Sequence, residues 1–378
     1  MQIDYSKRIF GLDIMRAGAI LMVVVSHALW LVPNAKGLIP ELLKLAGVMG
    51  VEVFFVLSGY LIGRIVLRVF TDKKFNYNRL KYFWVRRWFR TLPNYYLVLI
   101  LNILLMLYFG NELPKNLWLY FVFLQNFAWE MPLFFNESWS LPIEEFAYVI
   151  GPLLLYSTLT FNLKISKTRV FLWVTLLVIT FFTLTKIIYN YMVETEGMQF
   201  WNLNLKAVAI YRVDAIYFGV LAAYLSCRYP KLWKVRKTFS FALGFFVFIL
   251  LNYAIQHYNL TIEHHPFFWN VLYLPINSIA IALSLPLLSN IQTARKWFLI
   301  PITFISVISY SMYLLHYSIV LRIVKNFVPY RELVPLEVLT YTSIYVAATI
   351  GFAYLLYRVF EKPFMDLRDK PFVINRFK

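Results

Sequence analysis

Cysteine and acidic residues are scarce in this sequence. Its 378 residues include one cysteine, Cys227, and 19 Asp and Glu against 37 Lys and Arg. A single cysteine excludes an internal disulfide framework, and neither a CxxC pair nor a dense His/Cys cluster indicates a metal site. The sequence also lacks Ser/Gly linkers, low-complexity tracts and polar stretches long enough for a soluble domain. We therefore expect residues 1–378 to form a single domain that binds no metal.

Apolar residues dominate the composition. The sequence is 61% hydrophobic and 19% aromatic, its mean hydropathy is +0.64, and apolar runs of about twenty residues recur from end to end. This pattern predicts an all-α, polytopic membrane bundle. The first run is too long for the apolar region of a signal peptide and lacks a small-residue cleavage site, so we expect it to be a retained helix.

The distribution of charge predicts the topology. About 25 of the 37 basic residues fall in alternate connections, which places these connections and both termini in the cytoplasm. The protein is then a multi-pass protein of the cytoplasmic (inner) membrane. The net charge of +18 reflects this topology and attraction to anionic lipid headgroups, not nucleic acid binding. About ten spans are expected, near residues 11–33, 46–69, 91–110, 140–160, 170–190, 207–226, 239–256, 268–290, 298–324 and 336–360.

The first span, GLDIMRAGAILMVVVSHALWLVP, contains an arginine and a histidine. Arg16 and His27 are eleven residues apart, so on a helix they project from one face and are separated by about 16 Å along the axis. Ionisable groups at this depth are costly and usually face a protein interior or a water-filled cavity, which makes the pair a functional candidate. In the alternative, Arg16 snorkels to the interface and His27 is a packing residue.

Two connections have unusual compositions. The inner segment 71–90 interleaves basic and aromatic residues, as an interfacial amphipathic helix does. It could hold the phosphates of a cytosolic nucleotide-like ligand or anchor to anionic lipid. On the other side, segment 116–137 is apolar but short and is broken by Pro132, which favours a re-entrant or interfacial segment over a full span.

Six motifs in order resemble the acyltransferase-3 family of integral membrane O-acyltransferases, over residues 11 to 363. The chain departs from the family pattern at Glu52, where Asp is more frequent, and at Ala147 and Pro142 in the glutamate motif. These departures affect the expected local helix geometry and acceptor preference. The motifs are Arg16 with His27, GVEVFFVLSGYLI (50–62), RRWFRTLPNYY (86–96), WSLPIEEFAYVIGP (139–152), SYSMYLLH (309–316) and EKP (361–363).

The resemblance implies a function. A member without an appended hydrolase-like domain would move an acyl group, expected to be acetyl, from cytosolic acyl-CoA (acetyl-CoA) to a hydroxyl group. The acceptor would be a cell-envelope polysaccharide or lipopolysaccharide, or a lipid-linked sugar precursor. His27 would act as general base in direct transfer, and Arg16 would guide the donor. The phosphate groups of the donor would bind to Arg64, Arg86, Arg87 and Arg90.

The paired glutamates and Tyr148 have several possible roles. Adjacent helical positions diverge by about 100°, so only one glutamate can point fully into the site. We favour Glu144, as a partner that orients or charge-balances His27 or Arg16. Glu145 could instead be an interfacial carboxylate or part of a salt bridge. Tyr148 could carry or polarise the acyl group in a two-step route.

Other polar residues leave alternatives open. Arg212 and Asp214 could line the cavity or be neutralised structurally by neighbouring helices. His316 could be a second catalytic or acceptor-binding group or a buried structural residue. Trp139 belongs to a set of outer aromatics that could stack on a sugar or mark the membrane interface. Ser58 and Gly59 indicate close helix packing, and residues 361–378 form a cytoplasmic tail.

A transporter or flippase for an anionic or lipid-linked substrate is the alternative function. The Arg/His pair and the glutamates would then be gating or proton-relay groups. Against it, the two halves show no duplication and no matched pair of Gly/Pro-broken half-helices.

Overall fold

The computed structural model describes residues 8–161, 164–194, 196–329, 331 and 333–377. The ends of the expected domain, residues 1–7 and 378, lie outside the described residues. Within the described ranges the chain is almost entirely helical and contains no strand. We number the longer helices α1 Phe10–His27, α2 Leu38–Thr71, α3 Tyr77–Tyr108, α4 Ser140–Ser157, α5 Lys167–Met192, α6 Val213–Arg228, α7 Lys237–His257, α8 Leu274–Ala282, α9 Lys296–Leu315, α10 Pro335–Leu356 and α11 Lys362–Arg368.

Most of the spans that the sequence predicts are long, apolar helices in the structure. In the described part of the chain, eight helical segments are long and apolar enough to cross a membrane. They are α1, α2, α3, α5, α7 and the segments that contain α8, α9 and α10, the last of which also includes α11. This confirms an all-α multi-pass bundle. The expected spans at 140–160 and 207–226 correspond to α4 and α6, which are not among these eight.

Helices α4 and α6 each follow an irregular segment that lies inside the bundle. Helix α4 has 18 residues, as many as α1, and α6 has 16. The two preceding segments are joined by backbone hydrogen bonds: Met131 N–H donates to Leu203 (3.1 Å), Ala209 to Asn126 (2.9 Å) and Ile210 to Phe127 (3.0 Å). Irregular backbone is tolerated at membrane depth only where protein satisfies it. Segment 116–137, which contains only the short helix Trp118–Phe121, is therefore not a span, as the sequence predicts.

Helix α3 corrects the prediction of a basic connection followed by a separate span. It runs without interruption for 32 residues, and only residues 72–76 connect it to α2. The Asn76 side chain caps its start by accepting a hydrogen bond from Arg79 N–H at 3.0 Å. Within α3, neither glycine nor proline occurs before Pro93. Charged residues interrupt the hydropathy of this segment, but nothing interrupts its backbone helix.

Helices α2 and α6 cross at two glycines. A Cβ atom on Gly59 would overlap the carbonyl oxygen of Ile216, and one on Gly219 would overlap the carbonyl oxygen of Val56. Both obstacles are backbone atoms, which cannot rotate away. The close packing predicted at Gly59 is therefore confirmed, and it places α6 directly against the middle of α2.

Replacement of Gly59 by alanine is expected to destabilise the protein by about 1–3 kcal/mol, because the added methyl group must push α2 and α6 apart. Gly351→Ala is the matched control, since its added Cβ meets no atom within 4 Å. Alanine is also the better helix former at an exposed helical site. Thermal unfolding in detergent should show a lower melting temperature for Gly59→Ala and an equal or higher one for Gly351→Ala. Equal shifts in both variants would contradict the close contact.

Candidate active site

A cavity of about 620 Å³ lies among α1, α2, α3, α4 and α9. Its wall combines apolar side chains of α2 with the hydroxyl groups of Ser140, Tyr310 and Tyr313. It brings together Arg16 and all the arginines that the sequence analysis assigns to donor binding. The eight arginines that line it are Arg16, Arg64, Arg68, Arg79, Arg86, Arg87, Arg90 and Arg368.

The exposure of the arginines distinguishes the mouth of the cavity from its interior. The side chains of Arg79 and Arg86 are 38% and 42% exposed. Those of Arg87 and Arg16 are only 14% and 17% exposed. The mouth therefore lies where α3 begins, and the cavity extends from there into the bundle.

Glu144 faces α3 inside this cavity. Its Oε2 atom accepts hydrogen bonds from Arg87 Nη2 at 2.9 Å and from the Tyr148 hydroxyl at 2.7 Å. Arg87 also lies over the Tyr148 ring, 3.3 Å from its centroid, and the Tyr148 hydroxyl contacts Ser58. The hydrogen-bonded partners of Glu144 are thus Arg87 and Tyr148 and include neither His27 nor Arg16, because α4 packs beside α3 at this level. Tyr148 is held in a network that orients Arg87.

Glu145 points away from the cavity, as the angle between adjacent helical positions requires. It accepts hydrogen bonds from Trp88 Nε1 at 3.1 Å and from the Thr91 hydroxyl at 3.4 Å. Both partners belong to α3. Glu145 therefore contributes to the packing of α4 on α3 and is not among the residues that line the cavity.

Arg16 is near an acidic partner that the sequence analysis missed. Asp13 Oδ1 lies 3.9 Å from Arg16 Nη1. Asp13 also accepts hydrogen bonds from Arg8 Nε at 2.8 Å and from the Ser306 hydroxyl at 2.7 Å. The spacing of Asp13 and Arg16, three residues apart on one helix face, is the signal that could have identified this pair.

His27 lies against His316. Nδ1 of His27 is 2.9 Å from Nε2 of His316, and Nδ1 of His316 is 2.7 Å from the Tyr313 carbonyl oxygen. The chain forms a wide π-helical turn over His316–Leu321, a geometry that is frequent at functional sites. The structure thus brings together two histidines that are 289 residues apart in sequence.

Tyr313 connects the histidine pair to the cavity. Its ring centroid is 5.7 Å from that of His316, and its hydroxyl is 2.8 Å from the Ser140 hydroxyl. Tyr313 and Ser140 both line the cavity. The imidazoles are therefore behind the innermost hydroxyl groups, at the end opposite the exposed arginines.

Two residues on the segment before α4 lie near the end of the cavity that is beside the histidine pair. Glu137, which the sequence analysis missed, is buried and accepts hydrogen bonds from the backbone N–H of Ser318 at 3.1 Å and from its hydroxyl at 2.6 Å. It therefore supports the π-helical turn that carries His316. The Trp139 ring lies 5.9 Å from Phe55 and 5.7 Å from Lys206 Nζ. Trp139 thus packs within the bundle.

Arg212 and Asp214 form buried ion pairs outside the cavity. Arg212 pairs with Glu52 of α2, and Asp214 pairs with Lys186 of α5. All four side chains are at most 1% exposed. The structure favours the structural alternative for both residues, with partners on neighbouring helices that the spacing of the sequence could not identify.

Two carboxylates outside the membrane-spanning helices lie near the mouth. Hydrogen bonds from the Lys74 backbone and from Arg79 hold the pKa of Asp72 below its ordinary value. The Arg368 guanidinium lowers the pKa of Asp369 in the same way. Both groups stay ionised at neutral pH and pair with arginines of the cavity.

Nowhere in the described ranges do three or more His, Cys, Asp or Glu side chains form a group that could hold a metal ion.

The Glu52–Arg212 pair provides a test of its structural role. Arg212→Met should lower stability by about 3–5 kcal/mol because it leaves a buried carboxylate unpaired, and Glu52→Gln/Arg212→Met should recover much of this loss. Thermal unfolding of the purified protein in detergent measures both effects. A double variant that is less stable than Arg212→Met would contradict the pairing.

Comparisons with known proteins agree with this architecture. Peptidoglycan O-acetyltransferase OatA of Listeria monocytogenes is 27% identical over an alignment of 408 positions, which covers 99% of this chain and 58% of OatA. YrhL of Bacillus subtilis, whose name provisionally gives it the same activity, is 26% identical over an alignment of 390 positions, which covers 95% of this chain and 55% of YrhL. The chain thus spans somewhat more than half the length of these curated relatives. No solved structure matches it. The family model described as "Acyltransferase domain" matches residues 9–358, and the chain therefore belongs to the acyltransferase-3 family.

Proposed function

We propose that this protein is a membrane O-acetyltransferase that moves an acetyl group from acetyl-CoA to a hydroxyl group of a cell-envelope glycan. The arginine-lined cavity that ends beside the His27–His316 pair is the observation that carries the proposal. Family membership and the printed name of OatA support acetyl transfer to a glycan. The arrangement of charge and imidazole supports the order of events within the membrane.

The donor site is proposed from the charge and size of the cavity. A volume of about 620 Å³ falls within the range of about 300–1,000 Å³ typical of ligand pockets. Coenzyme A carries several phosphate groups, and guanidinium groups bind phosphate oxygens through paired hydrogen bonds. Arg64, Arg68 and Arg90 form no ion pair with any residue that the structure describes. An anionic ligand would therefore displace no paired carboxylate from these three side chains.

The separation of Arg16 from His27 assigns them to different parts of the donor. Along α1 they are about 16 Å apart, which exceeds the reach of an arginine side chain. Arg16 would therefore bind the pyrophosphate or the pantetheine arm, and the thioester would lie farther in. There Ser140 and Tyr313 line the cavity. One hydroxyl hydrogen is used in the bond between these two residues, and the other would be donated to the thioester carbonyl oxygen.

The hydrogen bonds of the histidine pair favour one tautomer of His27. A carbonyl oxygen only accepts, so Nδ1 of His316 carries the proton that it donates to Tyr313. Nε2 of neutral His316 is then an acceptor, and Nδ1 of His27 donates to it. This leaves the lone pair on Nε2 of His27 free to act as a base. His316 would be a positioning residue.

In the proposed reaction the acceptor hydroxyl oxygen attacks the thioester carbonyl carbon while Nε2 of His27 takes its proton. A C–O bond forms and the C–S bond breaks. The proton then passes from His27 to the leaving thiolate, so that the products are the O-acetyl ester and coenzyme A. An alcohol is a poor nucleophile until a base removes its proton, which is the reason for placing a histidine at this position.

The acceptor is proposed to approach from the membrane face opposite the arginines. Exposed aromatic rings lie on segments at that end, including Trp30, Trp118 and Trp129, which are 45–62% exposed. Aromatic faces suit sugar rings, and the name of OatA indicates peptidoglycan as the acceptor of that relative. A polymer or a lipid-linked sugar at the outer face could reach His27 from the end of α1.

Removal of the proposed base tests this function directly. His27→Ala in nanodiscs should reduce transfer from radiolabelled acetyl-CoA by about 100- to 10,000-fold, because general-base catalysis contributes on this scale. Coenzyme A binding should remain, since His27 is not among the residues that line the cavity. Label in a purified peptidoglycan or lipid-linked acceptor is the readout. His264→Ala, an exposed histidine, is the matched control.

The outcomes separate an enzyme from a transporter. Wild-type protein that neither binds coenzyme A nor consumes acetyl-CoA with acceptor present would refute the enzyme. Transfer that survives in His27→Ala would refute His27 as the base. His316→Ala should slow transfer less than His27→Ala does and should alter its pH profile, whereas a merely structural residue would change stability alone.

The arginines should control donor affinity rather than the chemical step. Arg90→Gln should weaken coenzyme A binding about tenfold, since a hydrogen bond to a charged group contributes roughly 1.5–3 kcal/mol. Increasing salt should weaken binding to the wild type because the mouth is open to water. Lys81→Gln is the control, as this exposed lysine lies on α3 outside the cavity lining. Titration calorimetry measures each affinity, and equal losses in both variants would contradict a specific donor site.

A further inference from the structure

The C-terminal tail folds back onto the mouth of the cavity. Helix α11 and the following turns pack beside the first turns of α3, where the rings of Tyr82 and Phe377 are 5.6 Å apart. Arg368, the last residue of α11, lines the cavity and donates a hydrogen bond from Nη1 to the Arg86 carbonyl oxygen at 3.2 Å. Arg368 lies beyond residue 358, where the family match ends.

A carboxylate of the same tail bridges two arginines at this mouth. Asp369 Oδ1 is 3.1 Å from Arg86 Nη1 and accepts a hydrogen bond from Arg368 Nε at 3.1 Å. Asp369 Oδ2 accepts a second hydrogen bond from Arg368 Nη2 at 2.7 Å. Two guanidinium groups around one pair of anionic oxygens is also the arrangement that binds a phosphate group. The side chain of Asp369 is 46% exposed, so water and ligands can reach the bridge.

We propose that Arg86 and Arg368 form a phosphate subsite for the ribose 3′-phosphate of the acyl-CoA donor, and that Asp369 occupies this subsite when no donor is bound. This inference rests on the proposed function. With the thioester beside Tyr313, the nucleotide end of the donor would lie at the mouth, which is where Arg86 and Arg368 meet. The subsite is therefore built from the tail as well as from the bundle.

A phosphate group should displace the carboxylate. A phosphate monoester carries a charge of about −1.5 to −2 at neutral pH, whereas Asp369 carries a single negative charge. The phosphate also offers more oxygen acceptors to the two guanidinium groups. A donor without this phosphate cannot compete, and Asp369 then remains on Arg86 and Arg368. The bridge would therefore select donors that carry the 3′-phosphate.

Comparison of coenzyme A with dephospho-coenzyme A, which lacks only this phosphate, tests the inference. Titration calorimetry on the full chain in nanodiscs should show that the wild type binds coenzyme A about tenfold more tightly, as expected for one added set of charge-assisted hydrogen bonds. Arg368→Gln should remove most of this preference, because it should lower the affinity for coenzyme A far more than the affinity for dephospho-coenzyme A. Arg376→Gln, an exposed arginine of the same tail, should retain the preference.

Asp369→Asn provides a second test that misfolding cannot imitate, because a gain in affinity is expected. Without the competing carboxylate, coenzyme A should bind several-fold more tightly than it does to the wild type. Unchanged or weaker binding would overturn the role of Asp369 as an occupant of the subsite. A preference that persists in Arg368→Gln would overturn the subsite itself. A wild type that binds neither nucleotide would refute the donor proposal, and with it this inference.

Discussion

The ion pair between Glu52 and Arg212 fixes the centre of the bundle. Two charges can be buried at this depth only if each satisfies the other, because an unpaired charge costs several kcal/mol. The second oxygen of Glu52 accepts a hydrogen bond from Ser278 of α8 at 3.2 Å. One carboxylate therefore joins α2, the start of α6 and α8 at a single level. Helix α6 begins directly after Arg212, so the pair also determines where the irregular segment ends.

The position of α2 then determines the geometry of the cavity. One and a half turns beyond Glu52, Ser58 contacts the Tyr148 hydroxyl, which in turn donates to Glu144. Glu144 binds Arg87, whose guanidinium lies over the ring of Tyr148. A contiguous set of contacts thus leads from the buried ion pair to an arginine of the cavity. Such support from surrounding residues holds a binding group in a productive orientation.

Local patterns in the sequence predict the fold class and the basic side of the site. Arg16 and the arginines of α3 could be assigned from apolar run length and charge, since these properties depend on neighbouring residues. The contact of His27 with His316 could not, because it joins positions 289 residues apart. Hydropathy also could not predict the continuous α3 or the irregular segments before α4 and α6. Hydropathy describes how favourable it is to transfer side chains from water to an apolar environment. These features depend instead on where the backbone N–H and C=O groups find hydrogen-bond partners.

For residues 71–90 the sequence analysis left two roles open, binding of a ligand's phosphates and anchoring to anionic lipid. In the structure, different residues of this segment suit each role. Lys73, Lys74 and Lys81 are exposed, where a compact ammonium group can remain hydrated and attract anionic headgroups. The arginines of the same segment line the cavity instead. Anchoring to lipid would not require arginine side chains that line a cavity of the protein. Like charges held this close repel one another, so an empty cavity is a cost to stability. Proteins accept such costs at functional sites, and an anionic ligand that enters from the mouth would relieve this one.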